Sequence, residues 1–256
     1  MRPPRTLSRT APDSRIVGAF RAVVLAGGTW VLLFCPLTSA VADQEYMTVR
    51  FDDKTVDQQI GTAGPESGEP SWVDEGLGAI VRSAPFSTPC LEFSNVTSNG
   101  SMGFDLTTPI TEGVAAFITD LWFYEDSDWE YVLYLRNSSN QQIATLWFRA
   151  VGHVDITALG FDGIEDIPYA TGRPLPILFV IDFDGRTWSV WIDGVQWVNN
   201  QPLHEQITDF RRVMVGAGWG SSDENRVSID QIRIIDRLPP VPVEPVSWGM
   251  VKGLYR

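Results

Sequence analysis

The stretch PILFVIDFDGRTWSVWIDGV, residues 176–195, decides the fold. Two runs of β-branched and aromatic residues, Ile177–Phe183 and Trp188–Ile192, flank Asp184-Gly185, and Asp193-Gly194 follows at once. Asp-Gly supplies the positive-φ residues that tight hairpin turns require, so the stretch predicts a meander of strands. Outward from it, similar short runs recur at Met47–Phe51, Met102–Leu106, Val114–Tyr124, Tyr131–Arg136, Ile143–Arg149, Arg212–Gly216 and Val227–Ile235. Asn99-Gly100 and Asp162-Gly163 are read as further turns between them, and residues 57–71, polar and rich in Gly and Pro, as a long surface loop. No window holds a capped 3.6-residue apolar period. Many short strands without helices predict an all-β, antiparallel β-sandwich.

The composition excludes several functions. Of 256 residues, 44% are hydrophobic and 11% aromatic, enough for a packed core and too much for a disordered polyanion. A formal net charge of -13 without a basic cluster argues against nucleic-acid binding.

Residues 1–42 read as a signal peptide. Arg2, Arg5, Arg9, Arg15 and Arg21 make a basic start, Ala22–Leu37 is apolar, and Ala40-Val41-Ala42 is a small-x-small cleavage pattern. The apolar run is short and broken by Gly27, Gly28 and Pro36, so no membrane span is expected in the mature chain. Cleavage before Asp43 leaves 14 basic against 31 acidic residues, a formal -17, with Cys90 as the remaining cysteine. One thiol makes no internal disulfide, so the fold must hold by packing. The expected location is secreted, periplasmic or cell surface. The organisation is then signal peptide 1–42, sandwich 43–237, and a Pro-rich linker with a short tail at 238–256. That tail, ending SWGMVKGLYR, is amphipathic and basic: an address read by a partner, or a frayed terminus packed loosely by Trp248.

Four stretches in order carry a family resemblance: the early strand ending Phe51-Asp52-Asp53; GVAAFITDLWFYED with YVLYLRN and IATLWFRA; the hairpin IDFDGRTWSVWIDG; and the closing strand VSIDQIRI. Together they resemble the concanavalin A-like (laminin-G-like) lectin/glucanase superfamily over about residues 45–236. The resemblance implies a jelly roll, a fold that hosts lectins, adhesion modules and hydrolases alike.

Parity along three strands then selects candidate ligand residues. Trp188, Val190 and Ile192 share one face and Ser189 and Trp191 the other. Leu146 and Phe148 oppose Trp147 and Arg149, while Leu133 and Leu135 oppose Tyr134 and Arg136. With the aliphatic set inside, Tyr134, Arg136, Trp147, Arg149 and Trp191 are expected on an outer, concave face. Aromatic planes among hydrogen-bonding groups suit a sugar ring. The same residues also serve in ordinary cross-strand pairs or under loops.

The resemblance suggests two further sites. Laminarinase-like hydrolases carry Glu-x-Asp-x-Glu on one strand; the nearest match is Asp126-Ser127-Asp128-Trp129-Glu130, where Asp126 is one methylene too short for the nucleophile and Ser127 favours a turn. A structural calcium ion between the first and last strands would fall to Asp52, Asp53 and Asp230, against a reading in which the first two cap a turn and the third pairs with an arginine. The sequence therefore predicts a monomeric, non-catalytic module that binds a polysaccharide or glycan. A structural or adhesive envelope protein binding a surface protein is the alternative, and a glycoside hydrolase the third reading.

Overall fold

The computed structural model describes residues 45–60, 71–75, 79–94, 101–124, 130–149, 152–217 and 226–236. The signal peptide, the 238–256 tail, Asn99-Gly100, Asp126 and Asp128 lie outside them. Among the described residues there are fifteen strands: β1 Glu45–Arg50, β2 Ser71–Glu75, β3 Ile80–Arg82, β4 Cys90–Ser94, β5 Ser101–Ile110, β6 Val114–Phe123, β7 Tyr131–Arg136, β8 Gln142–Arg149, β9 His153–Ala158, β10 Phe161–Pro168, β11 Pro174–Asp182, β12 Thr187–Ile192, β13 Val195–Pro202, β14 Phe210–Ala217 and β15 Arg226–Asp236.

All pairings are antiparallel, and the strands form two sheets packed as a sandwich. The first runs β13-β12-β11-β6-β15-β4-β3, with β1 also on β15; the second runs β10-β9-β8-β7-β14-β5-β2. We call them the β15 sheet and the β14 sheet. Strand β15 meets β6 along one edge, while its other edge is shared by β4 near Val227 and β1 near Ile234. A bulge between Ile229 and Ile232 separates the two partners' registers.

The decisive hairpin forms between the two runs, Ile177 facing Ile192 and Asp182 facing Thr187, but its turn spans residues 183–186 and the positive φ, 53°, falls on Arg186 and not on Asp184 or Gly185. Gly185 is needed there because a Cβ would come within 2.5 Å of the Asp182 carboxylate, whose Oδ1 accepts the Gly185 N–H at 2.7 Å. At the next turn Asp193 and Gly194 both take positive φ, 53° and 76°, matching the twist of β12 and β13. Asp162-Gly163 is not a turn. It lies inside β10, where the register against β9 slips between Phe161 and Ile164; the chain reverses at Leu159-Gly160 instead. Residues 57–60 run irregularly, with a single bridge from Gln59 to Ile80, while Ser71, assigned to the same loop, opens β2.

Alternation fills the space between the sheets. Met102, Phe104, Leu133, Leu135, Leu146 and Phe148 from one sheet meet Phe117, Leu121, Phe179, Ile181, Trp188 and Ile234 from the other. Trp188 stacks on Phe179 at 5.3 Å and 15° and takes Phe161 edge-on at 5.2 Å. Each such aromatic removes a large apolar area from water, which is what holds a sandwich without disulfides. Cys90 points outward from β4 but is buried under residues 83–89, its Sγ 3.0 Å from the Ala84 carbonyl oxygen. Burial pushes its thiol up to about 11, the state of an inert thiol.

Candidate functional site

The outer face of the β14 sheet gathers four of the five residues that parity selects. β7 presents Tyr134 and Arg136; β8 presents Trp147 and Arg149. In register, Tyr134 lies between Thr145 and Met214, Trp147 between Val132 and Asp155, and Arg149 opposite His153. Tyr134 and Trp147 are therefore diagonal neighbours on adjoining strands. The Trp147 indole is 40% exposed, unusual for a large apolar group at a sheet centre.

The guanidinium groups around it are held in place. Arg149 Nε donates to Asp155 Oδ2 at 2.7 Å, and Asp155 Oδ1 accepts the Asp166 N–H at 3.0 Å. That hydrogen bond, then the charges of Asp155, Asp166 and Glu130, hold the Arg149 guanidinium charged beyond its ordinary range. At the other end Arg212 Nη2 donates to Asp105 Oδ2 at 2.7 Å, with Nε on the second carboxylate oxygen, a fork-to-fork pair. Between them the Arg136 guanidinium lies 4.8 Å from the Tyr134 ring centroid, and its Nη1 donates to Asn140 Oδ1 at 2.8 Å.

Two polar atoms in this patch are unsatisfied. Thr145 is 3% exposed, and its Oγ1 is buried without a hydrogen-bond partner, as is Arg136 Nε. Thr145 shares parity with Trp147 and Arg149 and was legible in IATLWFRA. Asp155, Asp105 and Arg212 come from distant parts of the chain and had no local signal.

Trp191 is not on this face. It belongs to β12 of the β15 sheet, on the opposite side of the molecule, packed against a separate apolar cluster of Ala116, Ile118, Leu178, Val180 and Ile235. Parity assigns it correctly to an outer face; the two strands simply join different sheets. The expected Trp147/Trp191 surface is therefore two surfaces.

The other candidates are dispersed. Asp52 and Asp53 sit in the turn after β1, Asp53 beside Lys54 Nζ at 3.4 Å. Asp230 lies at the β15 bulge, where it accepts the Thr88 hydroxyl at 2.8 Å. Among the described residues no group of three or more His, Cys, Asp or Glu is placed to hold a metal ion, so these carboxylates are not brought together. Glu130 precedes β7 and acts on Arg149 through its charge, while Asp126 and Asp128 are outside the described residues. Asn137, in a sequon by pattern, is buried, its amide donating to Gln141 Oε1 at 2.8 Å. Among the described residues no helix is long and apolar enough to cross a membrane.

Neither a protein-family model nor a curated protein matches the chain. Solved structures do. The botulinum neurotoxin serotype D binding domain superposes with a TM-score of 0.56 at 11% identity, over 82% of this chain and 51% of that one. The T. cruzi calreticulin globular domain gives 0.54 at 10% identity over 76% and 89%. A conserved carbohydrate esterase from Shiga toxin-encoding bacteriophage phi24B gives 0.52 at 10% identity over 77% and 100%. A sialidase is matched over only 16% of its own length. At these identities the likeness is one of fold.

Proposed function

We propose that this chain is an exported, non-catalytic recognition module of concanavalin A-like type. It binds a carbohydrate on the outer face of the β14 sheet. The observation that carries the reading is Trp147: an open indole at a sheet centre, flanked by Tyr134 and by guanidinium groups that Asp155, Asp105 and Asn140 hold in position. A pyranose ring stacks its C–H face on the indole, while its hydroxyls reach the Arg149 and Arg136 guanidinium groups. A fold neighbour named as a carbohydrate esterase and another named as a toxin binding domain share the architecture, and the reading rests on the face itself.

The charge balance narrows the sugar. Arg149 faces Asp155, with Asp166 and Glu130 acting on it, and Arg212 faces Asp105. A uronate or sulfate would meet as much carboxylate as guanidinium, on a chain already strongly acidic. Neutral polysaccharides are the favoured class.

The test is a glycan array carrying neutral and anionic polysaccharides, probed with the chain and with Trp147→Ala. Binding to neutral glycans that Trp147→Ala abolishes is expected. A wild-type chain that captures no glycan at high micromolar loading, yet pulls down a surface protein, sinks the reading in favour of an adhesive role.

A further inference from the structure

Past Arg136 the outer face of the β14 sheet runs into two loops, residues 137–141 between β7 and β8 and residues 203–209 between β13 and β14. The first is a type I turn: the Asn140 N–H donates to the Asn137 carbonyl at 3.0 Å, and Asn140 itself takes a positive φ of 62°. Its tip is tied to the second loop. Asp209, a buried carboxylate, accepts both the Ser138 N–H at 2.8 Å and the Ser138 hydroxyl at 2.7 Å through Oδ1. The second loop is pinned in turn by Arg186, which donates to the carbonyls of Ile207 at 2.6 Å and His204 at 2.8 Å. The amides that the two loops carry are therefore held from both sides.

Groups that can only donate fix the orientation of each amide. The Gln141 backbone N–H is one, so Asn137 accepts it through Oδ1 at 2.8 Å and directs its Nδ2 at Gln141 Oε1, also at 2.8 Å. The Gln141 oxygen is thereby used, and Gln141 Nε2 donates to Gln206 Oε1 at 2.9 Å. Gln206 Nε2 is left at the end of the relay. Arg136 does the same beside it. A guanidinium has no acceptor, so its Nη1 takes Asn140 Oδ1 at 2.8 Å and leaves Asn140 Nδ2 facing away. Asn140 and Gln206 are exposed, and neither amide nitrogen has a partner among the described residues. The side-chain oxygens of Asn140, Gln141 and Gln206 are all engaged, and what the shelf offers is N–H donors.

We infer that this shelf is a second subsite of the sugar face and that it takes the carbonyl oxygen of an acetylated sugar. The inference rests on the reading of Trp147 as a sugar platform and adds a ligand substituent to it. A hydroxyl both donates and accepts, so amides left with donors alone satisfy only half of it. A carbonyl oxygen only accepts, and its two lone pairs match two N–H groups. A carboxylate accepts as well, but Glu205 and Asp209 belong to the same loop and Asp209 backs the turn directly, which sets like charge against it. The spacing suits an oligosaccharide. Trp147 is level with Val132, four residues before Arg136 on β7, or ~14 Å at ~3.4 Å per residue.

Chitotetraose and cellotetraose test this, because they share a backbone and differ by an acetamido group against a hydroxyl on the second carbon of each ring. In titration calorimetry the chain is expected to bind chitotetraose at least about fivefold tighter. Asn140→Asp and Gln206→Glu each replace an outward amide nitrogen by an oxygen at constant shape, and each is expected to bring that ratio towards parity. Should one of them fail to fold, the other carries the test. Acetylated xylan against the same xylan after saponification tells an acetate ester from an acetamide. Three results overturn the subsite: parity in both pairs for the parent chain, a preference for tetragalacturonate over chitotetraose, or a preference that a folded variant keeps. In each of these, Trp147-dependent binding to another neutral glycan leaves the sugar face standing. A chain that binds no glycan of the array overturns the face and the subsite together.

Discussion

The two outer faces of this sandwich are built by the same alternation and have opposite characters. On the β14 sheet, Trp147 stands open among ion-paired guanidinium groups and an orphan hydroxyl. On the β15 sheet, Trp191 packs into a buried aliphatic cluster, and Cys90 is buried beneath residues 83–89. One face keeps polar groups in place and an aromatic plane exposed. The other behaves as a second, shallower core. A tryptophan on an outward position is thus not evidence of a ligand; its neighbours across the strands decide.

The widest contrast is available on β12 alone, where Trp188 points inward and Trp191 outward. Trp188→Ala leaves a cavity beside Phe179 and Phe161 and is expected to cost about 3–5 kcal/mol in denaturant unfolding. Next comes the reciprocal pair. Trp147→Ala is expected to weaken glycan binding by about tenfold or more while stability stays within ~0.5 kcal/mol of the parent. Trp191→Ala is expected to do the reverse, costing about 1–2 kcal/mol of stability with glycan binding unchanged. Loss of glycan binding in Trp191→Ala would break the comparison.

Cys90 sharpens the covered side. Unfolded, its thiol ionises near its ordinary value of 9.0; folded, at about 11. Between those values the unfolded chain binds fewer protons, so stability falls as pH rises from about 9 to about 11. Cys90→Ala should flatten that limb in pH-dependent melting, and native Cys90 should resist alkylation at pH 8. The smallest effect concerns calcium. Because Asp52, Asp53 and Asp230 are not gathered into a ligand set, a chelator is expected to leave the melting temperature unmoved. A clear downward shift would restore an ion to the β1–β15 edge.

Nine strands were legible because each is a β-branched or aromatic run bounded by a turn signal. β2, β3, β4, β9, β10 and β13 were not, for physical reasons. β10 and β13 are sheet edges, bulged and half polar, with positive φ at Asp166 and Asn200. Edge strands that avoid pairing with other chains lose the pattern that identifies a strand. β3 has three residues, too few to show alternation. At the site, parity placed Tyr134, Arg136, Trp147 and Arg149 on outward positions, as found. What it lacked was sheet membership, a long-range property. Arg212 pairs with Asp105 across 107 residues, and no local pattern carries that distance.

Strand β15 has one more consequence. It is the last strand described, residues 226–236, and it stands between β6 on one side and both β1 and β4 on the other. Until it arrives, β1, β3 and β4 have no seam to join β6, just as β2 and β5 have none to join β7 until β14 does. A polypeptide emerging N-terminus first from a ribosome therefore stays open for most of its length. It closes late, in two long-range steps, β14 and then β15.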